Sequence, residues 1–390
     1  MFAGGKIPMR KLLDEIRMPY QARVIRRRPL AATDPGAEAA IDAALDWLCR
    51  AQDGSRTNDG GVARHYSLLD GWGASYPETT GYIVPTLIAQ AALRGRPELL
   101  ERARRMLDWL AAIQFPDGGF QGGTVDQLPR VPVTFNTGQI LLGLAAGVEA
   151  FGDAYREPMR RAADWLVATQ DPDGKWSRQP TPFAAPGLKT YETHVSWGLF
   201  EASRLEPDQP WGDAGLRQVD WAIGHLQGNG WPALCCLSTP EAPLTHTLGY
   251  TLRGIIEAWR FGGRDHHLDA ALRLAAGLRS ALEDDGRLPG RLDAAWRPTV
   301  RWVCLTGSVQ IAHSWLLLAE ATGDAAWASA GRAANAHVRR SLALDHADPG
   351  VRAGVAGAFP IDGGYGRFEY LNWAAKFAID AWQAELDLGR

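Results

Sequence analysis

The dipeptide Asp-Trp recurs at Asp46-Trp47, Asp108-Trp109, Asp164-Trp165 and Asp220-Trp221, and self-similarity at that spacing is the mark of a helical-hairpin repeat. A glutamine follows each copy, at Gln52, Gln114, Gln170 and Gln227, and turn formers come at once after it: QDG, QFPDGGF, QDPDGKW and QGNGW. Such residues end helices, so four copies of one device imply one repeated unit. Between the copies lies a second class of helix, expected to begin near Thr79, Thr137, His194, Thr247, Thr306 and Trp373. GYIVPTLIAQAAL, GQILLGLAAGVEAFG and GSVQIAHSWLLLAEA are apolar on all sides and belong inside. ELLERARRMLDWLAAIQ has one apolar stripe and a charged back and belongs outside. Counting on through Leu268 to Leu282 and Ala325 to Leu342 predicts an all-α protein, an (α/α)6 toroid of six inner and six outer helices.

Every outer-to-inner connection is long and every inner-to-outer one short. Tightly joined helices pack antiparallel, so all the long loops, with the amino ends of the inner helices, fall at one end of the ring around its deepest pocket. The length of 390 residues then reads as residues 1–34, a basic arm, followed by one toroid over 35–390. In the arm, Arg23, Arg26, Arg27 and Arg28 follow the apolar-polar run Met9 to Met18. That pattern suits either a segment packed on the ring or a peripheral contact with an anionic membrane. A net charge of -3, from 41 basic and 44 acidic side chains, gives no field for nucleic acid. The start lacks a signal-peptide core and no stretch reaches membrane-spanning length, so a cytoplasmic protein is expected. Cys49, Cys235, Cys236 and Cys304 are too few and too irregular for a disulfide framework.

The segments entering the inner helices read YPETTGY, FNTGQ, KTYETHVSW, LTHTLGY, CLTGSVQ and YLNWAAKF. Most hold a threonine or asparagine suited to capping, yet they also hold groups that capping does not need. Glu78, Glu192, His194, His246 and Tyr250 are candidate catalytic residues, joined by Arg301 before the fifth inner helix. Tyr365 and Tyr370 from the glycine- and aromatic-rich last loop complete that set. Tyr82, Asn136, Gln139 and Trp197 are candidate substrate-binding residues, with Trp302, Glu369, Asn372 and Lys376. Six positive helix ends aimed at one cavity favour an anionic ligand, and Arg301 is suited to grip a carboxylate, or else to pair with Asp293. The repeated Trp47, Trp109, Trp165 and Trp221 read as core, whereas Trp72, Trp176, Trp231 and Trp302, in long loops, are candidates to line the mouth.

The ring from about Ala37 onward resembles the six-hairpin glycosidase-like toroids, which share this alternation with the squalene-cyclase and prenyltransferase superfamily. ETTGYIVPTLI, PDGGFQGG, FNTGQILLGL, LTHTLGYTLRGIIEA, CLTGSVQIA and GGYGRFEYLNWAAKF resemble bacterial polysaccharide-biosynthesis proteins of the VpsJ type. That resemblance implies an enzyme working on a saccharide. Hydrolysis needs two carboxylates flanking the bond, which Glu78, Glu192, Asp293 and Glu369 offer. Epimerisation or elimination beside a uronate carboxylate needs a base and a cation, which His194, His246, Tyr250, Tyr365, Tyr370, Lys376 and Arg301 offer. A terpene cyclase or prenyltransferase-like toroid is the rival reading, without the DxDD proton-donor motif; Asp284-Asp285 ends a helix. A non-catalytic saccharide-binding ring is the third. Cys235, Cys236, Cys304 and His246 are an awkward zinc set, so neither metal nor cofactor is expected.

Overall fold

The structure, a computed structural model, describes residues 20–389; the run Met9 to Met18 lies outside them. After a short helix α1 (Tyr20–Arg26), six outer helices alternate with six inner ones. The outer set is α2 (Ala37–Asp53), α4 (Glu98–Ile113), α6 (Arg156–Thr169), α8 (Trp211–Ile223), α10 (Asp265–Ser280) and α12 (Ala325–Arg339). The inner set is α3 (Pro77–Arg94), α5 (Thr134–Phe151), α7 (Thr193–Leu205), α9 (Thr245–Gly262), α11 (Leu305–Thr322) and α13 (Asn372–Asp387). Inner helices begin within three residues of the expected positions. Each inner helix packs on the next around the ring, and α13 meets both α3 and α2, so the fold is the closed (α/α)6 toroid. The seam joins the two ends of the chain. Buried Arg339 locks it, reaching Asp34 before α2 at 2.6 Å and Glu385 on α13 at 2.8 Å.

The short connections turn on glycines in the left-handed conformation, Gly95, Gly263 and Gly323, each of whose N–H closes the last turn of an inner helix. Glycine serves differently inside the ring. A Cβ on Gly143 would stand 2.2 Å from the Gly81 carbonyl oxygen, so α5 and α3 approach backbone to backbone there.

The glutamine repeat is a staple. Gln52 Nε2 donates to the carbonyls of Gly60 and Arg102, Gln114 Nε2 to those of Gly118 and Pro158, and Gln170 Nε2 to those of Gly174 and Ala214. Each therefore ties its own turn to the neighbouring outer helix. The aspartate of each Asp-Trp pair is held likewise from the following hairpin: Asp46 by Arg96, Asp108 by Tyr155, Asp164 by Trp211 and Asp220 by His267. Trp47, Trp109 and Trp165 are buried as expected, but Trp221 is half-buried against His225.

The threonines at the inner helix starts do not cap. The N-cap positions of the inner helices are Tyr76, Val133, Glu192, Leu244, Cys304 and Leu371, none with a side-chain cap bond. Instead Thr80 accepts from the Val62 N–H and Thr137 from the Phe120 N–H, at 3.0 Å each, pinning long loops to the helices they feed. Those loops also pair with one another. Strand β1 (His65–Ser67) lies between β2 (Gly71–Trp72) and β5 (Glu369–Leu371), and β3 (Val303–Cys304) pairs with β4 (Ala358–Phe359). The first and last long loops are thereby zipped across the seam. The described part of the arm packs on the last loop, where Gln21 donates to Asp348, Arg28 to the Leu342 carbonyl, and Arg26 faces Asp362 at 3.6 Å.

Candidate active site

A cavity of about 430 Å³ opens at the long-loop end, walled by the first turns of α3, α5 and α9 and by loops. Glu78, in the first turn of α3, is buried there. Tyr76 Oη donates to its Oε2 at 2.7 Å and Asn136 Nδ2 to the same oxygen at 3.0 Å, while Oε1 accepts no hydrogen bond from the described residues. Burial pushes the Glu78 carboxyl up to about 7, against the opposing pull of the Tyr76 hydroxyl and Arg64. A carboxyl so poised gives and takes a proton near neutrality.

His246, in the first turn of α9, shares the cavity. Its Nδ1 lies 2.7 Å from Gln310 Oε1; an amide oxygen only accepts, so the proton sits on Nδ1 and Nε2 keeps its lone pair. Burial brings the imidazole down to about 4, against the raising influence of Gln310, which makes it a neutral base. Aromatic rings surround the pair. Tyr250 and Tyr365 lie 4.5 and 5.3 Å from the His246 ring, Phe135 packs on Tyr250 at 5.1 Å, and Trp373 Nε1 donates to Tyr365 Oη at 2.9 Å. At the rim, Arg64 stands 5.2 Å over the Trp373 ring and bonds Glu369 at 2.9 Å.

Of the sequence candidates, Glu78, Tyr82, Asn136, His246, Tyr250 and Tyr365 line this cavity. The others correct the expectation of a single cluster. His194 and Gln139 are fully buried outside the lining, hydrogen-bonded to each other at 2.6 Å, with His194 packed behind Tyr250. Glu192 is buried in the turn Thr190–Glu192; its neighbour Tyr191 lines the cavity instead. Burial pushes Glu192 up to about 8, moderated by Lys189. Arg301 is exposed, and Asp293 is taken by Arg297 rather than by Arg301. Tyr370 lies in β5, packed on Gly354. Glu369 sits behind the rim as the partner of Arg64, and Asn372 spends its amide on the Ala63 carbonyl.

Trp197 and Lys376 line a separate cavity of about 520 Å³ beyond the ring's waist, which shares Tyr82 with the first. They lie one turn into α7 and α13, about 5.4 Å below the mouth. The amino ends therefore do not surround the largest space: this second cavity and a third of about 580 Å³, lined from α3, α9, α11 and α13, both exceed the one at the mouth. Three of the cations lining the second cavity are paired, Lys376 with Asp380 at 2.7 Å, Arg253 with Glu257 at 2.7 Å and Arg204 with Glu201. The loop tryptophans are packing groups: Trp72 wedges between Trp47 and Tyr66, Trp176 bonds the Leu166 carbonyl, Trp231 meets Trp296, and Trp302 covers Gly290, Gly363 and Gly364. Sequence reading missed Arg64, Tyr76, Phe135, Tyr191 and Trp373 as site residues. Tyr76, Phe135, Tyr191 and Trp373 stood inside the segments singled out; nothing in the sequence marks Arg64.

A ring of helical hairpins with an acid, an imidazole and an aromatic wall at its long-loop mouth defines a toroid of the six-hairpin kind. Neither a family model nor a curated protein sequence matches this chain. Solved structures do. An unsaturated glucuronyl hydrolase specific for heparin superposes with a TM-score of 0.71 at 16% identity, covering 90% of this chain and 97% of its own. An unsaturated glucuronyl hydrolase from a Bacillus species, responsible for glycosaminoglycan degradation, gives 0.70 at 16%, covering 89% and 96%. A cellobiose 2-epimerase from Bacillus thermoamylovorans gives 0.69 at 11%, covering 88% and 98%. At these identities the likeness establishes the fold.

Proposed function

We propose that this chain is a saccharide-processing enzyme that moves a proton beside the carboxylate of an acidic sugar, by epimerisation or elimination. The observation that carries the reading is the pairing of one carboxyl poised near neutrality with one neutral imidazole in the same aromatic-walled cavity. His246 Nε2 is the base that takes the proton, and Glu78 is the acid that delivers one. Arg64 grips the substrate carboxylate at the rim, the role the sequence reading had given Arg301. Tyr250, Tyr365 and Trp373 offer faces for a sugar ring.

Hydrolysis by a carboxylate pair is less well supported, because Glu78 is the only carboxylate among the described residues lining the cavity, whereas that chemistry needs two about 5 to 9.5 Å apart. The glucuronyl hydrolase and epimerase neighbours suit the sugar class, and the resemblance to VpsJ-type proteins suits a place in polysaccharide assembly. The test is incubation with uronate-containing oligosaccharides in deuterated water, read by mass and by absorbance of a new double bond. Deuterium gained at unchanged chain length means epimerisation, and an unsaturated end means elimination. Chain shortening alone, or no change on any uronate, overturns the proposal.

A further inference from the structure

The repeated staples on the outer ring differ in chemistry. In three hairpins the aspartate of the Asp-Trp pair is held by a donor outside the imidazole, thiolate and carboxylate set that binds zinc-class ions: Arg96 on Asp46, Tyr155 hydroxyl on Asp108 and Trp211 indole on Asp164. In the fourth the donor is an imidazole. His267 Nε2 lies 2.8 Å from Asp220 Oδ1, which completes the staple as the other hairpins do. His266 is additional: its Nε2 reaches the same oxygen at 2.9 Å, and the two rings stand 4.1 Å apart. The staple needs one donor, so the second imidazole is left for a ligand to explain.

We propose that Asp220, His266 and His267 form a binding site for a divalent transition-metal ion of the zinc class, clamping α8 to α10. This is a departure from the metal-free expectation of the sequence. The three ligand atoms lie within 4.8 Å of one another. Tetrahedral zinc with bonds of about 2.0 to 2.1 Å holds its ligands roughly 3.3 Å apart, so each imidazole nitrogen, now 2.8 or 2.9 Å from Asp220 Oδ1, need recede from that oxygen by only about half an ångström to meet the zinc spacing. Two imidazoles and a carboxylate suit zinc, nickel or copper, whereas magnesium and calcium prefer oxygen. The site faces solvent through His266, whose side chain is 53% exposed, while His267 is fully buried. Water therefore takes the fourth position. Arg264 Nη1 holds the other carboxylate oxygen at 3.2 Å, orienting Oδ1 toward the imidazoles.

The test is titration of the full chain with cobalt(II), read by visible absorption, and with zinc(II), read by calorimetry. The expected result is one ion per chain, an absorption band of a four-coordinate centre, and a higher melting temperature with zinc. His266→Ala leaves the His267 staple in place, so it keeps the metal-free melting temperature and weakens binding by more than about tenfold, the lower end of what even outer-shell losses cost such sites. Asp220→Asn weakens it as well. Affinity weaker than millimolar in the parent, or unchanged binding in His266→Ala, overturns the assignment.

Discussion

Replacing Tyr76 by Phe removes one hydroxyl and tests how the protein sets its acid. That hydroxyl donates to Glu78 Oε2 at 2.7 Å, with the carboxyl buried and the Tyr76 ring half-buried beside it. The bond favours the ionised carboxylate and so holds the Glu78 carboxyl below where burial alone would put it. A hydrogen bond to a charged group contributes about 1.5 to 3 kcal/mol. At 1.36 kcal/mol per pH unit, and with Asn136 able to take up part of the loss, the Glu78 titration moves upward by about one to two units. The sign follows from the charge: a lost donor penalises the anion, so protonation persists to higher pH. The assay is a carbon-13 titration of the Glu78 carboxyl in the free protein, assigned by its absence in Glu78→Gln, alongside the alkaline limb of the rate profile. A titration that stays near 7, or moves down, refutes the reasoning, because the Tyr76 bond would then not be stabilising the anion.

Three other outcomes are expected. The dependence of kcat/KM on pH is bell-shaped, rising as His246 loses its proton near pH 4 and falling as Glu78 loses its own near pH 7; activity undiminished at pH 9 removes Glu78 as the acid. Arg64→Leu raises KM for a uronate substrate by about 10- to 100-fold, the equivalent of a charged hydrogen bond, with a much smaller effect on the matching neutral sugar; equal losses on both remove Arg64 as the carboxylate grip. Gly143→Ala, which drives a methyl to 2.2 Å from the Gly81 carbonyl oxygen, destabilises the ring by about 1 to 3 kcal/mol although alanine is the better helix former. Its check is the denaturant midpoint, and a rise there contradicts the close approach.

The architecture was legible in the sequence because each hairpin repeats the same local chemistry. Glutamine before a glycine turn, an aspartate to be held, and all-round apolar runs are short-range signals that fix helix ends and faces. The site was legible as far as helix starts carry it, through Glu78, Asn136, His246 and Tyr250. It failed where placement depends on pairing between distant segments. Arg64 reaches the rim because His65 pairs with Leu371 across the seam, 306 residues along the chain, and no local pattern around Arg64 foretells that pairing. Depth was the second difficulty. Trp197 and Lys376 stand in the same entering segments as the mouth residues, yet one helical turn puts them beyond the waist. The threonines misled in a third way, since a hydroxyl near a helix start serves an incoming loop N–H as readily as its own helix.

The seam has a consequence for the order in which the protein is made. Synthesis delivers Arg64, Tyr76 and Glu78 on the first hairpins and Tyr365 and Trp373 only with the last. Until α13 arrives, α2 lacks the inner helix it packs against, and the apolar face carrying Trp47 waits uncovered while some three hundred residues are added, roughly 15 to 60 seconds at ordinary translation rates. The half-built ring is then an open crescent with a sticky edge at its oldest end. Neighbouring chains on the same messenger present the same edge, and an α13 from one ribosome can close the crescent of another, so the seam that completes the monomer is also where two nascent chains would exchange their final helices.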